Sequence, residues 1–325
     1  MTSYVTHRLD GLEPDNLLAF MALLGLLRTL EEVRPEWHPR VSWTVDKPPL
    51  RPALRVPEGV DGAAVVHATA EGLDLLAGCH EFDGLVDLTL PPEDAAGKLR
   101  EITKSVDQNR YAADLWAALV SDAAISRDGK KVEATPLCLM FGQGHQHFLE
   151  RLKSVPQQKT PPKRGKRRSR ITVSETDCLR KALFASWKRP DATQSFRWDP
   201  NEDVRYALRA RNPTDPKTKE TTQHGANRLA AVGLSLLTVA PRRRAGQVRL
   251  TVLGGQPEPR GGFVFRWPIW QAPISLAAIR ALLGHPDLGP DNKLAVLGVK
   301  EVRQARQIST GKFMNFTRAE PTTAP

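Results

Sequence analysis

The chain is poor in the residues that mark common chemistries. Its three cysteines, Cys79, Cys138 and Cys178, are scattered and odd in number. Neither a disulfide framework nor a Cys-rich zinc site can be read from them, and three reduced, mostly buried thiols are expected. No stretch reaches the roughly 18 to 20 unbroken apolar residues of a membrane span, and Met1 to Asp10 lacks the basic-then-apolar layout of a signal sequence. A cytoplasmic protein with no membrane partner is expected. There is no Gly-x-Ser-x-Gly elbow, no His-Glu-x-x-His, no Walker A and no paired-carboxylate pattern, which shifts the expectation from an enzyme to a binding protein without cofactor or metal.

Acidic residues are absent from one stretch altogether. Arg151 to Ser174 has none, yet carries Arg151, Lys153, Lys159, Lys163, Arg164, Lys166, Arg167, Arg168 and Arg170. The imbalance extends to the whole second half. Residues 1–150 hold 14 Lys+Arg against 23 Asp+Glu, whereas residues 151–325 hold 33 against 13, so balances of −9 and +20 sum to the net +11. Like charges at this density repel one another unless anions lie beside them, which makes nucleic acid the leading partner. The acidic half is left to face protein neighbours.

At 325 residues and 40% apolar composition the chain can build a real core. Pro14 to Val33 is apolar nearly all round behind Asp15 or Asn16 as cap, and predicts a core helix. Val41 to Val45 reads as a strand, Asp61 to Ala77 as a helix and Gly84 to Leu90 as a second strand. Glu93 to Thr103 and Asn109 to Ala124 read as helices. Ser154 to Ser169, rich in Pro, Gln, Lys and Arg, reads as a flexible linker. Beyond it come a helix over Glu175 to Trp187 capped by Ser174, a helix from His224 to about Leu237, and a hairpin of Val248 to Leu253 with Phe263 to Trp270. A short helix behind Ser275 and a basic, strand-like stretch over Lys293 to Thr317 follow, with a frayed tail from Pro321. Trp267 and Trp270 are expected in the core. The fold class is therefore α+β, mixed helices and short antiparallel sheets in two lobes: an acidic domain over 1–152, a basic linker over 153–173 and a basic domain with a C-terminal hairpin over 174–325.

Candidate phosphate contacts are Lys163, Arg164, Lys166, Arg167, Arg168 and Arg170 of the basic tract. Arg197, Arg205, Arg209 and Arg211 join them, since guanidinium groups there are interleaved with Trp198 and Tyr206, a combination suited to an unpaired strand. Arg228 and Asn227 fall in the first turn of a helix, where an anion is welcome. In Phe141 to Leu152 a glycine turn feeds a helix, and Gly142, Gln143, Gly144 and Gln146 are candidates for phosphate or base-edge contacts. His145 and His147, two apart on a helix, point to different sides, and no third ligand lies near them, so no metal is expected.

Four segments taken together carry a resemblance: Leu9-Asp-Gly-Leu-Glu-Pro-Asp-Asn-Leu-Leu-Ala-Phe-Met-Ala-Leu-Leu-Gly-Leu-Leu-Arg28, Gly142-Gln-Gly-His-Gln-His-Phe148, Arg197-Trp-Asp-Pro with Arg205-Tyr-Ala-Leu208, and Gly225-Ala-Asn-Arg-Leu-Ala230. In this order along most of the chain they resemble the compact large subunit of type I-G (formerly I-U) CRISPR Cascade complexes. The resemblance implies a non-catalytic subunit of an antiviral ribonucleoprotein. Such a subunit sits against the crRNA-bearing backbone subunits, helps find the motif flanking the target DNA, steadies the R-loop and docks the helicase-nuclease. Two alternatives remain: a guide-RNA or pre-crRNA binding subunit, and a nuclease without a readable motif in which His145, His147 and His224 would be the acid/base groups.

Overall fold

The computed structural model describes residues 3–140, 147–163, 173–202, 221–244, 247–258, 262–291, 293–310 and 313–322. The class is α+β, and the sheets are antiparallel. In chain order the elements are β1 (Tyr4–Arg8), α1 (Leu17–Val33), β2 (Arg40–Trp43), β3 (Pro52–Pro57), α2 (Gly62–Ala77), α3 (Pro92–Lys104), α4 (Arg110–Leu119), β4 (Val120–Ile125), β5 (Val132–Ala134) and α5 (Phe148–Gln157). The second half contributes α6 (Glu175–Phe184), α7 (His224–Gly233), β6 (Val239–Arg244), β7 (Gln247–Val252), β8 (Gly255–Pro257), β9 (Phe263–Trp270), α8 (Leu276–Leu283), β10 (Val299–Thr310), β11 (Phe313–Phe316) and β12 (Glu320–Pro321).

Local signals place the helix starts. The Asn16 side chain accepts from the Ala19 N–H to open α1, and Asp61 and Asn109 do the same for α2 and α4. Ser174 and Asp177 form a reciprocal capping box on α6, and Ser275 caps α8. Each satisfies backbone donors that a helix start leaves open. Helix α1 is buried from Leu17 to Leu27 on every side, as its uniform apolarity predicts.

The expected separation into two lobes gives way to one core. Helix α1, from the acidic half, packs most extensively on α7, from the basic half. Two glycines let these helices approach backbone to backbone: a Cβ on Gly25 would lie 1.9 Å from the Leu229 carbonyl oxygen, and one on Gly233 2.1 Å from that of Met21. Phe20 of α1 stacks on Trp267 at 5.3 Å between ring centroids, so the same helix also seats the large sheet. That sheet runs β11-β10-β9-β8-β7-β6, with β12 beside β10, while β1-β3-β2 forms a smaller sheet linked to it through Val41 and Ile274. Trp267 and Trp270 are buried in the core, as expected, and their indole N–H groups donate to Pro14 and Val41 carbonyls of the other half.

Four expectations are corrected. Gly84 to Leu90 is a turn and irregular chain: Asp83 and Gly84 take positive φ, and its carbonyls bond outside any ladder, Val86 O accepting from Leu149 and Glu150 N–H and Leu90 O from Val132 N–H. The helix from Asn109 ends at Leu119, where the chain turns into β4. The linker begins later than Ser154, because α5 continues through Pro156 to Gln157 and buries Val155 and Pro156. Finally, the Gly/Pro loop between β7 and β9 makes a strand of its own, β8, which pairs with both.

Candidate nucleic-acid interface

Strand periodicity sorts the large sheet into two faces. In β9, Phe263, Phe265 and Trp267 are buried toward the core, so Val264 and Arg266 point the other way. Register carries that outer face across the sheet: Gln304 lies opposite Arg266, Arg306 opposite Val264, Gln256 opposite Val264 and Arg242 opposite Arg249. Side-chain bonds agree. Arg242 Nη1 donates to Gln256 Oε1 at 3.4 Å, Arg266 Nε donates to Gln304 Oε1 at 2.7 Å, and Arg306 pairs with Glu258. Arginines thus stand on β6, β7, β9 and β10, spanning four inter-strand steps, or about 19 Å.

The electrostatics of this rank are one-sided. Glu258 is the only carboxylate paired with any of these arginines among the described residues. Arg242 and Arg249 face each other across adjacent strands, an arrangement of like charges that destabilises a sheet unless an anion joins it. Arg249 and the neighbouring Arg243 are exposed and form no ion pair among the described residues. Burial pushes the Arg266 guanidinium below its usual range; Glu258 opposes the shift and Arg306 adds to it. The outer positions Arg242, Arg249, Thr251, Gln256, Val264, Arg266, Gln304 and Arg306 include no aromatic residue. Such a surface suits phosphates and sugars rather than stacked bases.

The residues nominated from the sequence are distributed otherwise. Lys163 is exposed. Arg164, Lys166, Arg167, Arg168 and Arg170, together with Arg205, Arg209 and Arg211, lie outside the described residues, as do Gly142, Gln143, Gly144, His145 and Gln146. Arg197 is only 7% exposed, and Trp198 is fully buried, stacked on Phe196 at 4.5 Å and donating to Leu137 O, so it offers no face to a base. Arg228 is 0% exposed; Nη1 reaches Glu175 at 2.6 Å and Nε donates to Pro156 O at 2.9 Å. Asn227 is buried and donates to Thr222 Oγ1 and Gln223 O. Arg228 and Asn227 serve the interior because the first turn of α7 is covered by α5 and α6 rather than open to solvent.

That covered turn organises the ends of two basic segments. His224 Nε2 donates to Gln158 O at 2.6 Å and Nδ1 accepts from Thr193, with burial holding the ring neutral and its pKa down at about 4. Lys159 pairs with Asp74 and, at 3.7 Å, with Glu175. Together with Arg228 these contacts fasten the residues on either side of 164–172. The ends of 203–220 are clipped as well: Thr222 donates to Glu202 at 3.1 Å, Ser195 donates to the same carboxylate, and Asn315 Nδ2 donates to Glu202 O. Burial, with the Asp199 charge adding, raises Glu202 to about 7.

His147 precedes α5 and bonds Asp87 at 2.9 Å, while Asp87 also accepts from Phe148 N–H. Among the described residues no group of three or more His, Cys, Asp or Glu is placed to hold a metal, and no helix is long and apolar enough to cross a membrane. The cysteines are free, with Cys138 and Cys178 buried. Sequence reasoning missed the arginine rank, although part of the signal was there: Arg249 and Arg266 each stand between two apolar strand residues. Comparison with protein-family models and with curated proteins finds no match for the chain.

Proposed function

We propose that the chain is a non-catalytic, nucleic-acid-binding subunit of a CRISPR Cascade surveillance complex, of the compact large-subunit type found in type I-G systems. In this reading it works in the cytoplasm with crRNA, target DNA, the backbone subunits and the helicase-nuclease. Its tasks are flanking-motif recognition, R-loop stabilisation and recruitment of the nuclease. The observation that carries the nucleic-acid part is the rank of arginines across β6, β7, β9 and β10 with a single paired carboxylate. The acid-free tract from Arg151 to Ser174 supports it. A subunit of this kind reads backbone shape while base pairing to the guide reads sequence, so it needs cations more than an active site. The four-segment resemblance supplies the assembly.

The test is a titration of labelled duplex DNA at several ionic strengths. Replacing Arg242, Arg249 and Arg306 by Gln, or Lys163, Arg164, Lys166, Arg167, Arg168 and Arg170 by Gln, should weaken binding across sequences and flatten the salt slope by roughly 0.9 per lost phosphate contact. An unchanged slope in both variants refutes the reading. Incubation with DNA and RNA in Mg²⁺ or Mn²⁺ should leave every substrate intact, and a marked preference for single-stranded RNA would turn the assignment to a guide-RNA binding subunit.

A further inference from the structure

We infer that the outer edge of β1 is a docking site for an extended, acidic segment of a partner protein, which joins the small sheet as a fourth strand. This goes beyond nucleic-acid binding, since it assigns a protein-contact surface, and the kind of partner, to the acidic half.

Register decides which backbone groups of β1 are already used. Glu58 N–H donates to Ser3 O and Leu9 N–H to Pro52 O, in the register that runs from Tyr4 opposite Pro57 to Arg8 opposite Ala53. Alternation then turns the N–H and C=O groups of Val5 and His7 toward β3 and those of Tyr4, Thr6 and Arg8 away from it. Among the described residues nothing bonds these six outward groups, and Tyr4 and Thr6 are exposed. An unpaired strand edge is a template for another chain, and proteins commonly blunt such edges. Those of β2, β6 and β11 are blunted here. On β2, Val41 exchanges both backbone bonds with Ile274, and Trp43 O accepts from Val45 N–H. On β6, Leu253 N–H donates to Thr238 O, so alternation turns Pro241 outward, where it has no N–H to give. On β11 the Asn315 side chain takes the Phe316 N–H.

Side chains beside the open edge select the guest. The outer face of the small sheet carries Tyr4, Thr6 and Arg8 of β1, Arg55 of β3 and Arg40 of β2, whereas Val41, Leu54 and Val56 on the inner face are buried. Arg40 stands directly opposite Arg55, and neither forms an ion pair among the described residues. The Arg55 guanidinium lies over the Tyr4 ring, 4.0 Å from its centroid, and Tyr4 stays 43% exposed. Asp10, 2.9 Å from Arg8, is the only carboxylate paired with any of the three arginines among the described residues. Like charges opposed across a ladder destabilise it until a counter-charge arrives. A guest strand on β1 places alternate side chains on this face, and the one opposite Thr6 lies two strand spacings, about 10 Å, from Arg55. That gap is within the joint reach of a glutamate and an arginine. Carboxylates at alternate guest positions therefore complement Arg8, Arg55 and Arg40. The guest residues between them fall beside Val5 and His7, on the face that packs on Phe184, and are favoured when apolar. A second copy is a poorer guest, because its own Tyr-Val-Thr-His-Arg strand brings cations and no carboxylate. Nucleic acid supplies anions but no strand of alternating backbone donors and acceptors.

The experiment measures fluorescence anisotropy of the full chain with a labelled peptide alternating glutamate and valine, a lysine-valine counterpart, and labelled single-stranded and duplex DNA. The acidic peptide should bind with a Kd below about 1 mM, and the lysine peptide at least about tenfold more weakly. Thr6→Pro removes one outward N–H while the ladder to β3 keeps its bonds, and should weaken the acidic peptide by about tenfold or more. Arg40→Gln with Arg55→Gln should weaken it by about threefold to tenfold and flatten its salt dependence. Melting curves by circular dichroism identify a variant that has unfolded. Hydrogen exchange needs no variant: the amides of Tyr4, Thr6 and Arg8 should slow in the complex. Equal affinity for the two peptides, no binding of the acidic one, or unchanged exchange at these amides overturns the inference. So does self-association of the chain that Thr6→Pro abolishes, which would give the edge to a second copy. Loss of DNA binding in the arginine variant, without peptide binding, would give the face to nucleic acid and overturn it too. None of these outcomes bears on the arginine rank of the large sheet.

Discussion

Replacing Arg228 with methionine removes a charge from the interior while keeping most of the volume of its stem. Arg228 is 0% exposed and Glu175, its partner at 2.6 Å, has a side chain only 16% exposed. After the change Glu175 keeps, among the described residues, only Lys159, at 3.7 Å, Asp74 loses a cation at 3.8 Å, and Pro156 O loses its donor. Breaking one side of a buried pair costs about 3–5 kcal/mol, chiefly from the charge left behind. A typical domain has about 5–15 kcal/mol in hand, so the variant should still fold, with an earlier denaturation midpoint. Removing both partners in Arg228→Met with Glu175→Leu should restore much of the loss and give a coupling energy of about 1–3 kcal/mol. Guanidinium unfolding of the four proteins measures this directly. A single-variant cost below about 1 kcal/mol, or additivity of the two changes, refutes the reasoning. The same folded variant should bind DNA with an unaltered salt slope, because this guanidinium meets no phosphate; a slope reduced by about 0.9 would return it to the interface.

Three further outcomes are expected. His80 and His224 are both held down at about 4 by burial against an ordinary value of 6.5, so the stability they contribute is complete above 6.5 and is lost as pH falls toward 4; Glu202, raised from 4.5 to about 7, contributes below 4.5 and loses its contribution as pH rises through 7. Asp191 and Glu31, also raised by burial, act in the sense of Glu202, and a melting-temperature profile should peak near pH 6.5 with an acid limb that flattens in His224→Gln. Gly25→Ala should destabilise by about 3 kcal/mol or more in thermal unfolding, since its Cβ would meet the Leu229 carbonyl at 1.9 Å, and a neutral effect would refute the close helix contact. Burial raises the Cys138 thiol to about 12 and Cys178 to about 11, so a thiol-alkylating reagent at pH 8 should modify Cys79 alone until the protein is unfolded, as mass spectrometry of the peptides would record.

What could be read from the sequence was local. Caps at Asn16, Asp61, Ser174 and Ser275 act within three residues, and the all-round apolarity of α1 and the core placement of Trp267 follow from composition over one element. The interior role of Arg228 depends on Pro156, 72 positions away, and the irregular path of Gly84 to Leu90 on Val132 and Leu149; no window around either contains those partners. Charge density drew attention to the tract after Arg151, whereas the arginine rank is built from single residues on four strands that only the register assembles. The basic character of the second half was legible, but the face that displays it was not.

The glycine contact between α1 and α7 also bears on how the protein can move. With no layer of side chains between the two backbones, there is nothing to repack if one helix slides or rotates on the other. Hinging between the acidic and basic halves is thereby closed off as a response to binding. Any rearrangement belongs to peripheral elements such as the β4–β5 hairpin. A load applied at the arginine face is passed to the acidic half through two helices in direct backbone contact, with little give between them.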